Sequence, residues 1–161
     1  MNPYESELAF EEEEDTQHGR FLTFGINKEI YGIEISVVTE IVGIQPITQL
    51  PEVPEHIRGI VNLRGRIIPV VDCRLRFGLP AEEYTDRTCI IVIDIEQYAT
   101  GLIVDNVDEV LVIDDSNIVP PPETAKGVHH QFIRGIGKAK ENVILLLDCK
   151  KLFEQDETIL A

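Results

Sequence analysis

The sequence predicts an all-β protein, arranged as two small barrels or a two-sheet sandwich, and three observations lead there. From Arg20 onward the chain is a succession of short runs rich in Ile, Val, Leu, Phe and Thr. Gly, Pro, Asn and Asp interrupt these runs roughly every ten residues, the spacing of short strands joined by turns. Stretches with helical periodicity are few and short, so crossover helices for a parallel sheet are missing. With 161 residues and 43% hydrophobic content the chain can bury a real core.

Residues 1–17 precede this texture. They hold Glu5, Glu7, Glu11 to Glu14 and Asp15, seven acids without a Lys or Arg. Like charges repel, and too few apolar groups offset the entropy of ordering, so this segment reads as a solvated acidic tail. The folded unit is expected over 18–154, with 155–161 as a second tail. Within it, strands are expected at 21–26, 29–34, 44–49, 59–63, 66–72, 88–95, 98–104, 107–113, 132–138 and 142–148.

The connections follow from turn chemistry. Asn27-Lys28 suits a tight hairpin, because Asn tolerates the left-handed conformation. Arg64-Gly65 suits a second, with Gly65 supplying a positive φ. Pro69 cannot donate to a ladder, which predicts an edge strand or a bulge there. Residues 36–42 fit a short helix, capped by Ser36, with Val37, Val38 and Ile41 giving helical spacing. A single turn is expected at 75–77, ended by Gly78 and Pro80, and a short helix over 149–153. Asp114-Asp115 reads as a solvated turn leading to a stiff Pro120-Pro121-Pro122 connector.

Charge excludes some partners. A net charge of -15 repels a phosphate backbone or an anionic membrane, so no nucleic acid and no direct membrane insertion are expected. No apolar run approaches the ~20 residues that cross a bilayer, and Met1 to Glu5 lacks a signal peptide's basic start, which predicts a cytoplasmic protein. Cys73, Cys89 and Cys149 are far apart and have no Cys-x-x-Cys spacing, no helix start and no local His partner, and read as reduced core residues.

No catalytic constellation emerges. His129-His130 is the one adjacent His pair, but neighbouring side chains diverge and no Cys or carboxylate lies close by, so a loop is the better reading than a metal site. Glycine-rich phosphate loops, a phosphate-loop Lys and a Gly-x-Ser-x-Gly elbow do not occur. Neither His18 nor His56 lies in a long amphipathic helix, so phosphoryl transfer is not expected. The chain reads as a non-enzyme without cofactor or metal.

One stretch carries more information. Val38-Thr39-Glu40-Ile41 is followed by 54–72, Pro-Glu-His-Ile-Arg-Gly-Ile-Val-Asn-Leu-Arg-Gly-Arg-Ile-Ile-Pro-Val-Val-Asp. Gly101 to Leu111, Ile133 to Lys138 and Val143 to Asp148 continue it in order. In these segments the chain resembles the CheW family of chemotaxis adaptors, and the likeness covers about 19–153. It implies two five-stranded barrels like Src-homology-3 domains, packed with a groove between them. The same domain occurs at the end of the CheA kinase and, with a receiver, in CheV, and this chain has no room for either extra module.

The resemblance also implies a role: coupling methyl-accepting chemoreceptors to a CheA-type histidine kinase. The cytoplasmic receptor tip would lie in the groove, the kinase's regulatory domain would bind apolar barrel surfaces, and other CheW-like domains would join in arrays at the inner membrane face. Arg64 matches the arginine of the family's Asn-Leu-Arg-Gly, against the plainer reading of an exposed turn arginine. Val38, Glu40 and Val110 match partner-contact positions, with core packing as the competitor for both valines. Gly59 matches the glycine of Ile-Arg-Gly-Ile, where backbone geometry alone is the competing account. Asn106 stands in a turn where many relatives carry Gly, and asparagine also adopts that conformation. A pilus-motility or other chemosensory adaptor, and a small-ligand-binding β-barrel, are the alternative readings.

Overall fold

The computed structural model describes residues 18–122 and 131–153. The acidic run of 1–17, His129-His130 and the tail 155–161 lie outside the described residues. Eleven strands appear among them: β1 (Arg20–Ile26), β2 (Glu29–Glu34), β3 (Val38–Gly43), β4 (Ile57–Leu63), β5 (Arg66–Asp72), β6 (Cys89–Ile95), β7 (Tyr98–Val104), β8 (Asn106–Val112), β9 (Ile118–Val119), β10 (Ile133–Ala139) and β11 (Asn142–Leu147). Two short helices follow β5 and β11: α1 (Cys73–Arg76) and α2 (Cys149–Phe153).

The strands form two sheets, ordered β8-β1-β2-β11-β10-β9 and β3-β6-β7-β5-β4. The two-residue β9 aside, each lobe has the five strands that the family resemblance implies. Each also joins one parallel pair, β2 with β11 and β5 with β7, to antiparallel neighbours. The strands that follow the two opening hairpins change lobes: β3 pairs with β6, and β8 pairs with β1.

That symmetry is written in the chain. Ile57–Phe77 superposes without a gap on Ile133–Phe153, sharing Ile-Arg-Gly-Ile, an Ile at 68 and 144, and the pairs Asp72/Asp148, Cys73/Cys149 and Phe77/Phe153. Gly32–Val42 superposes in the same way on Gly101–Leu111, sharing Gly32/Gly101, Val38/Val107 and Glu40/Glu109. Even the irregularities repeat, since β4 and β10 both shift register just before their glycine.

Three apolar clusters explain the strand texture. Val61, Ile68, Val70, Ile90 and Val92 fill one lobe, and Phe21, Ile113, Ile144 and Leu146 fill the other. The largest cluster joins Phe24, Tyr31 and Ile33 to Ile91, Ile93, Leu102 and Phe132, and so lies between the lobes. Strands that serve a lobe core and the shared core are buried on both faces, which is why Ile90 to Ile93 is continuously apolar. Tyr31, Phe77 and Phe132 stack through the shared core, with centroids 5.3 Å and 5.8 Å apart.

Nine of the ten expected strands are present, with ends shifted by a residue or two. The expected strand at 44–49 is an ordered loop whose Thr48 alone bridges to Ile60, through two backbone hydrogen bonds of 2.9 Å. The expected helix at 36–42 is a single 3-10 turn, Ile35–Val37, followed by strand β3. Its i, i+3, i+4 apolar spacing served an edge strand of β-branched residues instead. Pro69 lies on neither an edge nor a bulge, because β5 sits between β4 and β7. Its partner Ile60 turns its own N–H and C=O toward Thr48, so Pro69 occupies a position where no ladder donor toward β4 is needed. Asn106 opens β8 opposite Gly25 and is not among the left-handed residues.

The two expected hairpin turns are confirmed. Asn27 and Lys28 have φ of 51° and 70°, and Arg64 and Gly65 have 52° and 86°. Glu96-Gln97 and Lys140-Glu141 repeat this geometry at the equivalent positions.

Candidate functional site: paired hairpin surfaces and a groove between the lobes

Val38 and Glu40 both lie on β3, not on two faces of a helical turn, and a register shift separates them. Val38 packs against the shared core, whereas Glu40 turns toward the β4–β5 hairpin. There Arg64 Nη1 donates to Glu40 Oε2 at 3.5 Å, and Nη2 stands 3.2 Å from Oε1. The arginine is 80% exposed and the glutamate 27%. Glu40 Oε1 is buried and has no hydrogen bond, so one acceptor at this surface is not satisfied within the described residues. Ile41 and Ile67 are exposed nearby in sequence on β3 and β5.

Val110 belongs to the other lobe, on β8, and is exposed. It does not join Glu40 and Arg64; it is the repeat counterpart of Ile41. Beside it in sequence, Glu109 accepts a hydrogen bond of 2.8 Å from Lys140 at the tip of the β10–β11 hairpin. That bond and the adjacent negative charge raise the Lys140 pKa. Glu109–Lys140 thus repeats Glu40–Arg64, and exposed Val143 repeats Ile67. The sequence reading missed Glu109 and Lys140, although the internal repeat pointed to them.

Gly59 stands apart from this surface. Its φ is +144°, and a Cβ built on it would collide with the Thr48 carbonyl. The backbone reading of this residue is therefore the one with a geometric basis.

Where the chain passes from β7 to β8, Arg74 clamps Asp105 with two hydrogen bonds of 2.8 Å and 2.7 Å, and the Asn27 N–H adds a third. Burial pushes the Asp105 carboxyl up, but the Arg74 and Asn27 bonds and the Arg74 charge outweigh it, so the pKa lies below 3.8. Next to this clamp, the chain beyond α1 folds back as a strap. Tyr84 Oη donates to the buried Asp72 at 2.9 Å, and Glu82 lies 3.4 Å from Arg74. Burial, then the Asp72 charge, pushes the Tyr84 hydroxyl up to about 12.

A groove opens between the lobes on another side. Val37, Ile95, Leu147 and Cys149 give its apolar lining, and its volume is about 360 Å³. It adjoins a second depression of about 290 Å³, the two sharing Glu34 and Arg134, which are ion-paired at 2.8 Å.

Cys73 and Cys149 do open helices, contrary to the sequence expectation, but both are buried and free. Burial, reinforced by Asp72 and Asp148 beside them, drives both thiols up, Cys149 to about 12, which makes them poor nucleophiles. Cys89 is free and half-buried. No group of three or more His, Cys, Asp or Glu suited to a metal ion occurs among the described residues. None of the described helices is long and apolar enough to cross a membrane.

The fold and these surfaces define a two-lobed β protein of Src-homology-3-like barrels, with its exposed features at hairpin tips and in an interlobe groove. Residues 20–157 match the CheW-like domain family, and the chain belongs to it. Chemotaxis protein CheW of Klebsiella aerogenes is 35% identical over 91% of this chain and 89% of its own length. Chemotaxis protein CheW of Rhizobium meliloti is 34% identical over 88% and 92%. Among solved structures, the scaffolding protein TtCheW from Thermoanaerobacter tengcongensis superposes with a TM-score of 0.79 at 40% identity, covering 84% of this chain and 92% of that one.

Proposed function

We propose that this chain is a non-enzymatic cytoplasmic adaptor that couples methyl-accepting chemoreceptors to a CheA-type histidine kinase in chemotaxis. The likeness to the chemotaxis proteins above, over nearly the whole of both chains, is the observation that carries this reading. In this account the receptor tip, a pair of amphipathic helices, lays its apolar stripe against the interlobe groove, where Val37 and Ile95 offer surface to desolvate. The kinase's regulatory domain docks on the lobe ends. Val38, Glu40, Arg64 and Val110 contribute to these contacts, and Gly59 holds the bulge on which the Arg64 hairpin is built.

Arg64 suits this role physically. A guanidinium at a hairpin tip, held in place by Glu40, keeps donors free to bond a partner's carboxylate or carbonyl. The test is a pull-down of this protein with the kinase and a receptor-tip fragment from the same genome. A ternary complex supports the adaptor reading; binding to neither partner rejects it.

A further inference from the structure

The internal repeat makes a statement about the groove. In one lobe the chain that leaves α1 turns back over the body: Tyr84, seven residues after Phe77, reaches Asp72, and Glu82 reaches Arg74. Glu82 and Tyr84 also lie against Arg58 in a neighbouring depression. The strap thereby covers Arg58, Asp72, Arg74, Ile103 and Asp105. In the other lobe the residues at these repeat positions are Arg134, Asp148, Lys150, Glu34 and Ser36. They line the interlobe groove and the depression beside it, both of which stand open in the described residues.

We infer that the segment from Glu154 to Ala161 closes this groove as the repeat counterpart of the strap from Gly78 to Thr85. The register is fixed by the ungapped match through Phe77 and Phe153, both buried in the shared core, so the chain leaves each lobe from the same point. Seven residues beyond Phe153 is Leu160, preceded by Ile159, two branched aliphatic side chains at the level of Tyr84. The change from Tyr to Leu suits its surroundings. Asp72 is buried and accepts a hydroxyl, whereas Asp148 is partly exposed and caps α2 through the Lys151 N–H, while Val37 and Ile95 offer apolar contact. Glu154, Asp156 and Glu157 follow directly on Lys150 and Lys151, which gives the segment an opposite charge to run beside. Covering by this segment does not depend on which partner docks, but a receptor tip that reads the groove has to displace it.

Methyl NMR on the full chain tests this directly. Nuclear Overhauser contacts are expected from Leu160 or Ile159 methyls to Val37 and Ile95, and they are lost in Leu160→Asp. That substitution, and truncation after Phe153, should shift the Val37 and Ile95 methyls while leaving Ile67, near the Arg64 hairpin, unmoved. Absence of those contacts in the full chain, or shifts confined to α2, overturns the inference. Neither result bears on the ternary complex, whose assembly is read separately.

Discussion

At the scale of single residues, exposure separates side chains that hold the fold from those available to a partner. Arg64 and Glu40 form a pair with one member mostly in water, and such pairs contribute roughly 0–1 kcal/mol. Arg64→Glu is therefore expected to weaken association with the kinase or receptor fragment by tenfold or more, with a change in unfolding free energy below about 1 kcal/mol. Calorimetric binding and denaturant melts on one preparation check both halves, and a large loss of stability would assign Arg64 to the fold. Asp105 is the opposite case. Its carboxyl is held below 3.8 in the folded protein, so its stabilisation is present above that value and is lost as the pH falls through the folded pKa. Asp105→Asn should cost about 1–2 kcal/mol at neutral pH, the lower part of the range for charged hydrogen bonds because the group is one-third exposed. The gap from wild type should narrow in melts below about pH 3.8, and a gap that widens in acid would contradict the clamp.

At the scale of elements, the turns and doubly buried strands were legible because local chemistry decides them. Asn27-Lys28 and Arg64-Gly65 adopt left-handed conformations wherever they sit, and Ile90 to Ile93 has no polar face to mislead. Strand β3 was not legible: Glu40 turns inward to its arginine and Ile41 outward, so the apolar alternation of a strand is inverted. The loop at 44–49 looked like a strand because Ile44 and Ile47 pack on a lobe core, although only Thr48 finds a backbone partner. Glu109 and Lys140 could be found only by laying one half of the chain on the other, since nothing local marks either as paired. The Thr48–Gly59 contact yields a prediction at this scale. Gly59→Ala places a methyl against a carbonyl oxygen in a backbone region unfavourable to L residues, and should destabilise by more than about 2 kcal/mol. A melt settles it, and near-wild-type stability would leave Gly59 free to be a contact residue.

At the scale of the molecule, the exchange of β3 and β8 between lobes and the shared aromatic core make the two barrels one cooperative body. Phe77→Ala removes the middle of the Tyr31–Phe77–Phe132 stack and should cost about 3–5 kcal/mol while leaving a single unfolding transition. Two separated transitions in calorimetry would show lobes that fold apart. Strand number and the pair of lobes were readable from composition and resemblance. The swap was not, because strand pairing across the molecule depends on which face each strand buries and not on its local sequence. A body of this kind suits an adaptor, since rigid lobes hold two partner surfaces at a fixed separation. The most direct test of that role is kinase autophosphorylation reconstituted with receptor, kinase and this protein. The adaptor account predicts that receptor control of the kinase appears only when the protein is added; equal control without it would contradict the account.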